Sequence, residues 1–550
     1  MQTNVSEKWW HRATVYQIYP RSFSDSNGDG IGDIAGIVAK LDYLQTLGID
    51  VIWLCPVYAS PMIDHGYDIS DYRDIAPEFG DLATMQLLID EAGKRGIRIL
   101  MDLVVNHTSD RHPWFQQAVS SPDSPYRDYY IWRKPKVDGS PPTDRRSHFG
   151  GSAWTLDEAS GEYYYHLFAR EQPDLNWENE ALRRDIYAMM NWWLDRGIGG
   201  FRLDVIDYIG KVPDLGIVEN GPRLHDYLQE MYRYTFEGRD VMTVGETWGA
   251  TPAIGNLYAD PARKELSQVF QFEHITFDRD PVHDKWKPLP FDLVRLKSIL
   301  SRWQRELLPQ SWNALFWNNH DLPRAVSKYG DPGVFRRESA TMLATVLHLM
   351  KGTPYVYQGE EIGMTNVRFP SITDYEDVQA RRVYAERIAA GIPHDEVMEG
   401  IYVSGRDNGR TPIQWDATAE AGFTTGKPWL GLNPNFTEIN VASQIDDPAS
   451  IFHHYRKLIE LRKSNDTVVY GDYLPILPEH PRIFAYERRR AGSRIVVIAN
   501  FSGDPLTVDL PEAVTGASGT CLVTNHDIRT DLLQKVALRP FEAFAIEFVG

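Results

Sequence analysis

RGIRILMDLVV, residues 95–105, holds the key to the fold. A helical pattern ends at a Gly-Ile pair, and an apolar run broken only by Arg98 and Asp102 follows at once. Glycine just past a helix suits the left-handed C-terminal cap, and a near-continuous apolar run suits a parallel strand buried on both faces. The same event occurs in LGIDVIWLCP (47–56) and RGIGGFRLDV (196–205). The helices before the strands fit. IAGIVAKLDYL (34–44) puts Ile34, Ile37, Val38, Leu41 and Leu44 on one face, and LATMQLLIDEAGKRG (82–96) begins after Asp81, a suitable N-cap.

Five more strand candidates continue the series: ATVYQIYP from Ala13, DVMTVGE from Asp240, SQVFQFEH from Ser267, NALFWNNH from Asn313 and TPYVYQGEE from Thr353. Eight strands alternating with helices predict an α/β fold, a (β/α)8 TIM barrel, with a doubly wound sheet as the alternative. After the third strand a Pro-, Gly- and aromatic-rich stretch is too long for a barrel loop and predicts an inserted subdomain over 107–176. Residues 1–106 and 177–470 then form the two parts of the barrel. From 471 to 550 short alternating strands such as RIFAYERR, SRIVVIANF and FEAFAIEFV predict a C-terminal antiparallel β-sandwich domain.

Composition narrows the function. With 57 Lys and Arg against 76 Asp and Glu the net charge is −19, and no basic cluster could track a phosphate backbone, so nucleic acid is not expected as a partner. The N-terminal MQTNVSEKWWHRATVYQIYP lacks the basic and apolar regions of a signal peptide, and no apolar run is long enough to span a bilayer. A soluble cytoplasmic protein without membrane contact is the expectation. The only cysteines, Cys55 and Cys521, fall in different predicted domains and indicate no disulfide framework. Aromatics are plentiful, with 16 Trp and 28 Tyr, which suits both sugar stacking and a large core. Nothing points to an oligomeric state.

Ionisable residues gather where strands end. Strand three carries Asp102 and then Asn106-His107, strand four Arg202 and Asp204, strand five Glu246, and strand seven His320-Asp321. Active sites of such barrels lie at the carboxyl ends of the strands, so these groups should converge. Singly, an acid there is most simply a helix cap or a surface charge. Four strands ending alike suggest cleavage of a glycosidic bond, which needs one carboxyl to protonate the leaving oxygen and another to attack the anomeric carbon. Arg202, two residues before Asp204 on one strand face, would keep that carboxylate ionised, leaving Glu246 as the candidate acid.

The segments DLVVNH (102–107), GFRLDVI (200–206), VGET (244–247), NNHD (318–321) and QPDLN (172–176) resemble, in order, the motif set of the α-amylase superfamily, glycoside hydrolase family 13. QPDLN is similar to the signature of its oligo-1,6-glucosidase branch, and the resemblance spans essentially the whole chain. It implies Asp204 as nucleophile of a covalent β-glucosyl intermediate, Glu246 as general acid and base, and Asp321 as a third carboxylate gripping sugar hydroxyls. It further implies that Asp64, Tyr67, His107, Phe149, Phe168, Arg202, His320 and Arg410 wall the terminal glucose, with an Asp64–Arg410 pair closing the pocket for exo action. No organic cofactor is implied.

DSNGDGIGD, residues 25–33, has the spacing of an EF-hand loop, but Gly36 stands at its twelfth position, where a bidentate Glu belongs, and a strand precedes it. Taken alone it is equally a polar turn. The family resemblance implies a structural calcium ion held by Asp25, Asn27, Asp29, the Ile31 carbonyl and Asp33.

Linkage preference rests on neighbours of the catalytic set. Val205 matches branch members that prefer α-1,6 bonds, and Trp248 and Lys285 resemble the groups that hold the second sugar. Gln379, in DYEDVQ, stands where α-1,6-cleaving relatives carry Glu; it keeps an accepting carbonyl and loses the charge. The expected substrate is a short oligosaccharide with terminal α-linked glucose, isomaltose above all, with transglucosylation as a side reaction. Trehalose-6-phosphate hydrolysis, another α-glucosidase or glucosyltransferase, and a non-catalytic carbohydrate-binding protein on the same fold are the alternatives.

Overall fold

The computed structural model describes residues 7–516 and 518–549. Residues 1–6, within the stretch read above for a targeting signal, lie outside the described residues, as do 517 and 550 of the C-terminal region.

All eight expected strands form: β1 (Val15–Ile18), β2 (Val51–Leu54), β3 (Arg98–Leu103), β4 (Gly200–Leu203), β5 (Met242–Thr247), β6 (Gln268–Gln271), β7 (Ala314–Leu315) and β8 (Thr353–Tyr357). They are parallel in the order β6-β5-β4-β3-β2-β1-β8-β7, and a parallel bridge from Val269 to Asn313 joins the two ends. That closure selects the barrel over the doubly wound sheet. The three Gly-Ile junctions act as the sequence requires, with Gly48, Gly96 and Gly197 all in the left-handed region at φ of 98°, 73° and 99°. At the start of β4, Gly200 is needed for a different reason. A Cβ there would lie 1.8 Å from the Met242 carbonyl of the neighbouring strand.

The segment between β3 and β4 builds its own antiparallel sheet from Trp132–Arg133, Glu162–Tyr165 and Trp154–Asp157. Antiparallel bridges His107–Asp174 and Tyr130–Leu175 tie it to the barrel mouth. The QPDLN stretch does the fastening: buried Asp174 faces buried Lys211 at 3.3 Å, and the Gln172 amide donates to Asp64 at 3.2 Å. A short hairpin, Tyr58–Ala59 with Asp71–Ile75, presents Asp64 and Tyr67 from its connecting loop.

The C-terminal residues form a five-stranded antiparallel sheet beginning at Asp472, with a two-stranded sheet, Leu506–Asp509 and Lys535–Leu538, packed on it through Ile483, Val496, Ile498 and Phe544 against Val508, Leu510 and Val536. Lys297, on the helix Leu293–Glu306, docks this unit by donating to the carbonyls of Leu477, His480 and Ile483 at 3.0, 2.7 and 2.9 Å. Both cysteines are free. Among the described residues no helix is long and apolar enough to cross a membrane.

Candidate active site

At the carboxyl end of the barrel, under the inserted sheet, a cavity of about 470 Å3 opens. Asp64, Tyr67, His107, Phe149, Phe168, Asp204, Val205, Glu246, Trp248, Lys285, Asp321 and Gln379 all line it, although they come from every part of the barrel and from the insert. Arg202, His320 and Arg410 were expected in the wall and instead stand directly behind it, each 1% exposed.

One guanidinium organises the centre. Arg202 Nη1 donates to Asp102 Oδ1 and Asp204 Oδ1, and Nη2 to Glu246 Oε2, all at 2.7 Å. Parallel pairing explains the convergence: Asp102 on β3 is in register with Arg202 on β4, whose neighbour β5 carries Glu246. The Asp102 carboxylate is fixed from behind by Trp53 Nε1 and the Tyr67 hydroxyl, both at 3.1 Å. Glu246 has two further donors, the Val205 N–H on Oε2 at 3.0 Å and Trp248 Nε1 on Oε1 at 3.1 Å. Val205 reaches it from φ 33° and ψ 46°, a left-handed conformation costing a β-branched residue roughly 1–3 kcal/mol. The turn after Asp204 is thus strained in the conformation that aims its amide at Glu246.

Three buried carboxyls share one cation. Burial, opposed by Arg202 and reinforced by Glu246 and Asp102, pushes Asp204 well up, and burial pushes Asp102 up to about 6. Asp321 behaves in the opposite way. Burial works against its ionisation, but the Arg406 and Arg410 guanidiniums outweigh it and hold the carboxyl well below the usual range. His107 and His320 are pushed down to about 3 by burial and are neutral. The Gln17 amide donates to His320 Nδ1 at 2.8 Å, so the ring proton sits on Nε2, 3.3 Å from Asp321 Oδ2.

The expected Asp64–Arg410 pair does not form. Arg410 is held by Asp321 Oδ1 at 2.6 Å and by the His320 carbonyl at 3.0 Å. Its place beside Asp64 is taken by Arg406, one helical turn earlier, at 3.7 Å; Arg406 also faces Asp321 at 3.4 Å and buried Asp377 at 2.7 Å. Arg406 and Asp377 are thus site residues that sequence reasoning passed over. Their signal was present, since Asp377 lies in DYEDVQ, read for Gln379, and Arg406 stands four residues before Arg410. Lys285 and Gln379 meet, the amide oxygen of Gln379 accepting from the ammonium at 2.7 Å. Burial pushes Lys285 down to about 8, with Asp377 opposing and Arg406 adding to the fall.

In the loop Asp25–Asp33 the side chains hold the turn itself. Asp25 accepts the N–H groups of Asn27, Gly28 and Gly30 at 2.8–2.9 Å, Asn27 and Asp29 each accept the N–H two residues on, and Asp33 accepts from Ser26 and Gly36. The donor set is all oxygen and mixes carboxylate, amide and carbonyl, which fits a hard cation such as calcium. Among the described residues no three His, Cys, Asp or Glu side chains converge as a metal group, so that fit rests on the mixed set.

Compared with known proteins, residues 17–471 match the alpha-amylase catalytic-domain family model. The chain is 54% identical to the oligo-1,6-glucosidase of Parageobacillus thermoglucosidasius, covering 97% of this chain and 98% of the relative. It is 55% identical to the palatinase of Erwinia rhapontici, with 98% of each covered. Among solved structures, the trehalose-6-phosphate hydrolase of Bacillus licheniformis superposes with a TM-score of 0.94 at 46% identity, covering 99% of this chain and all of that one.

Proposed function

The chain belongs to the alpha-amylase family and is a glycoside hydrolase of the oligo-1,6-glucosidase type. From that premise we propose that it releases terminal α-1,6-linked glucose from isomaltose and short isomalto-oligosaccharides by a retaining mechanism. The observation that carries the mechanism is the single Arg202 guanidinium bonded to Asp204 through one terminal nitrogen and to Glu246 through the other. It holds the two carboxyls as near neighbours, and a retaining mechanism calls for carboxyls set close together.

Asp204 attacks the anomeric carbon as Glu246 passes its proton to the glycosidic oxygen, and the bond to the leaving sugar breaks. Glu246, now a carboxylate, takes a proton from an incoming water, whose oxygen displaces Asp204 from the same carbon. Two inversions give net retention. A sugar hydroxyl in the place of water gives transglucosylation. Asp321, kept ionised by Arg406 and Arg410, accepts from hydroxyls of the terminal glucose, His107 contributes a neutral ring edge, and His320 stands behind Asp321. Asp64 with Arg406 closes the inner end, which supports exo action. Lys285 and Gln379 act together on the second sugar.

Charge at the cavity separates isomaltose from a phosphorylated disaccharide. Seven carboxyl groups line it against four cations, and three of those cations are already matched, Arg279 with Asp284 at 3.3 Å, Lys328 with Asp278 at 3.2 Å and Arg406 with Asp377 at 2.7 Å. A phosphate dianion meets net repulsion there. Measured side by side, kcat/KM for isomaltose is expected to exceed that for maltose, sucrose, trehalose and trehalose 6-phosphate by about tenfold or more. Trehalose 6-phosphate as the best substrate would overturn the assignment.

In the loop 25–33, the Asp25, Asn27, Asp29 and Asp33 side chains with the Ile31 carbonyl are proposed to hold calcium, remote from the chemistry and serving to order the loop. Chelation with EGTA is expected to lower Tm by a few degrees and to leave kcat on isomaltose at the same temperature unchanged. An unaltered Tm would return the loop to a metal-free turn. The two free thiols, Cys55 and Cys521, accord with a reducing compartment, and a cytoplasmic location is proposed on that ground.

A further inference from the structure

A second cavity, about 950 Å3, opens between the helix Leu293–Glu306 and the C-terminal sheet, and it shares no lining residue with the catalytic one. Its charge is opposite to that of the molecule. Arg305, Lys351, Arg489, Arg490 and Arg494 line it against only Glu7 and Asp472, in a chain of net charge −19. Two of the arginines have an acid of their own, since Glu487 faces Arg489 at 2.6 Å and Arg494 at 3.7 Å, and Glu7 is turned to Arg12 at 3.8 Å. Among the described residues Arg305, Arg490 and Lys351 have no carboxylate partner. Lys351 is half-buried, with one bond to the Pro309 carbonyl at 2.7 Å and the Trp312 ring 5.3 Å below its ammonium. The Arg490 guanidinium lies 5.1 Å over the Tyr470 ring, and the Tyr470 hydroxyl has no hydrogen-bond partner.

Three cations without a carboxylate partner converge on this cleft, Lys351 half-buried and the Arg305 and Arg490 guanidiniums exposed, and guanidinium groups match phosphate oxygens two at a time. We propose that this cleft binds a small phosphate compound carrying at least two negative charges, through Arg305, Arg490 and Lys351. The acidic surface outside the cleft repels a long polyanion, so the ligand is compact. Bound there, it bridges the barrel helix and the C-terminal hairpin and stabilises their docking, as any ligand specific to the folded state does.

Calorimetric titration of the full-length protein with sodium pyrophosphate, and separately with glucose 6-phosphate, tests this. Saturable binding of at least one probe is expected, weakening as salt is added. Pyrophosphate alone would assign a bare phosphate site, and glucose 6-phosphate alone a sugar-phosphate site. The Arg305→Ala/Arg490→Ala double variant, both positions being exposed, is expected to bind about tenfold more weakly or worse while hydrolysing isomaltose at the native rate. Absence of saturable binding, binding unchanged in the double variant, or displacement of the probe by isomaltose would each overturn the proposal.

Discussion

Replacing Asp204 by Asn is expected to lower kcat/KM on isomaltose by about 10⁴-fold or more while the protein stays folded with Tm unchanged or higher. The loss is large because the amide is isosteric yet has no charge to give, and neither the covalent intermediate nor the electrostatic support of a cationic sugar carbon survives it. Stability moves the other way for a reason visible in the site. Arg202 serves three carboxyls, and burial with like-charge neighbours already pushes Asp204 well up, so neutralising it removes repulsion from the cluster. Glu246 keeps Arg202 Nη2, the Val205 amide and the Trp248 indole as donors, so its position does not depend on Asp204. Rates with isomaltose and a melting curve on the same sample decide the matter. Turnover above about one per cent of native would move the nucleophile elsewhere, and a collapse in Tm would make Asp204 a structural residue.

That the chemistry was legible in one sequence follows from how a barrel is built. Parallel strands buried on both faces must be apolar, so a charge such as Asp102, Arg202 or Glu246 stands out against the run, and the strand ends where active sites lie are marked by the same break. The Gly-Ile junctions marked three strand starts because only glycine sits easily in the left-handed cap that Gly48, Gly96 and Gly197 adopt. Side-chain aim was not legible. Arg406 and Arg410 are one helical turn apart with the same chemistry, and which of them meets Asp64 depends on Asp321 and the His320 carbonyl having claimed Arg410. The strained φ of Val205 left no trace either, since valine is a residue that local rules would keep out of that conformation. The charge balance around the cavity mouth also needed coordinates, because only there are Arg279 and Lys328 seen to be matched by Asp284 and Asp278.

Arg202→Met tests the same cluster from its other side. The side chain is 1% exposed and carries all the positive charge offered to Asp102, Asp204 and Glu246, so its loss leaves three buried carboxyls without compensation. Breaking a buried pair from one side costs about 3–5 kcal/mol. A fall in Tm of about 4–6 °C is expected, at roughly 1 °C or slightly more per kcal/mol for a barrel of about 400 residues. The deficit also has a direction in pH. A carboxyl whose folded pKa lies above its unfolded value stabilises the fold most at low pH and loses that contribution as pH rises through the folded value. Asp102 already sits at about 6 and Asp204 is raised further by burial and its acidic neighbours. Removing the guanidinium moves both upward, so the variant should be most stable near about pH 5 and lose Tm toward about pH 8 more steeply than the native protein. Adding Asp204→Asn to Arg202→Met should then recover part of the loss, because one of the stranded charges is gone. A double variant no more stable than the single one, or a deficit flat in pH, would show that Arg202 is held for packing against Trp53, 4.9 Å beneath its guanidinium, and not as the counter-ion of the three carboxyls.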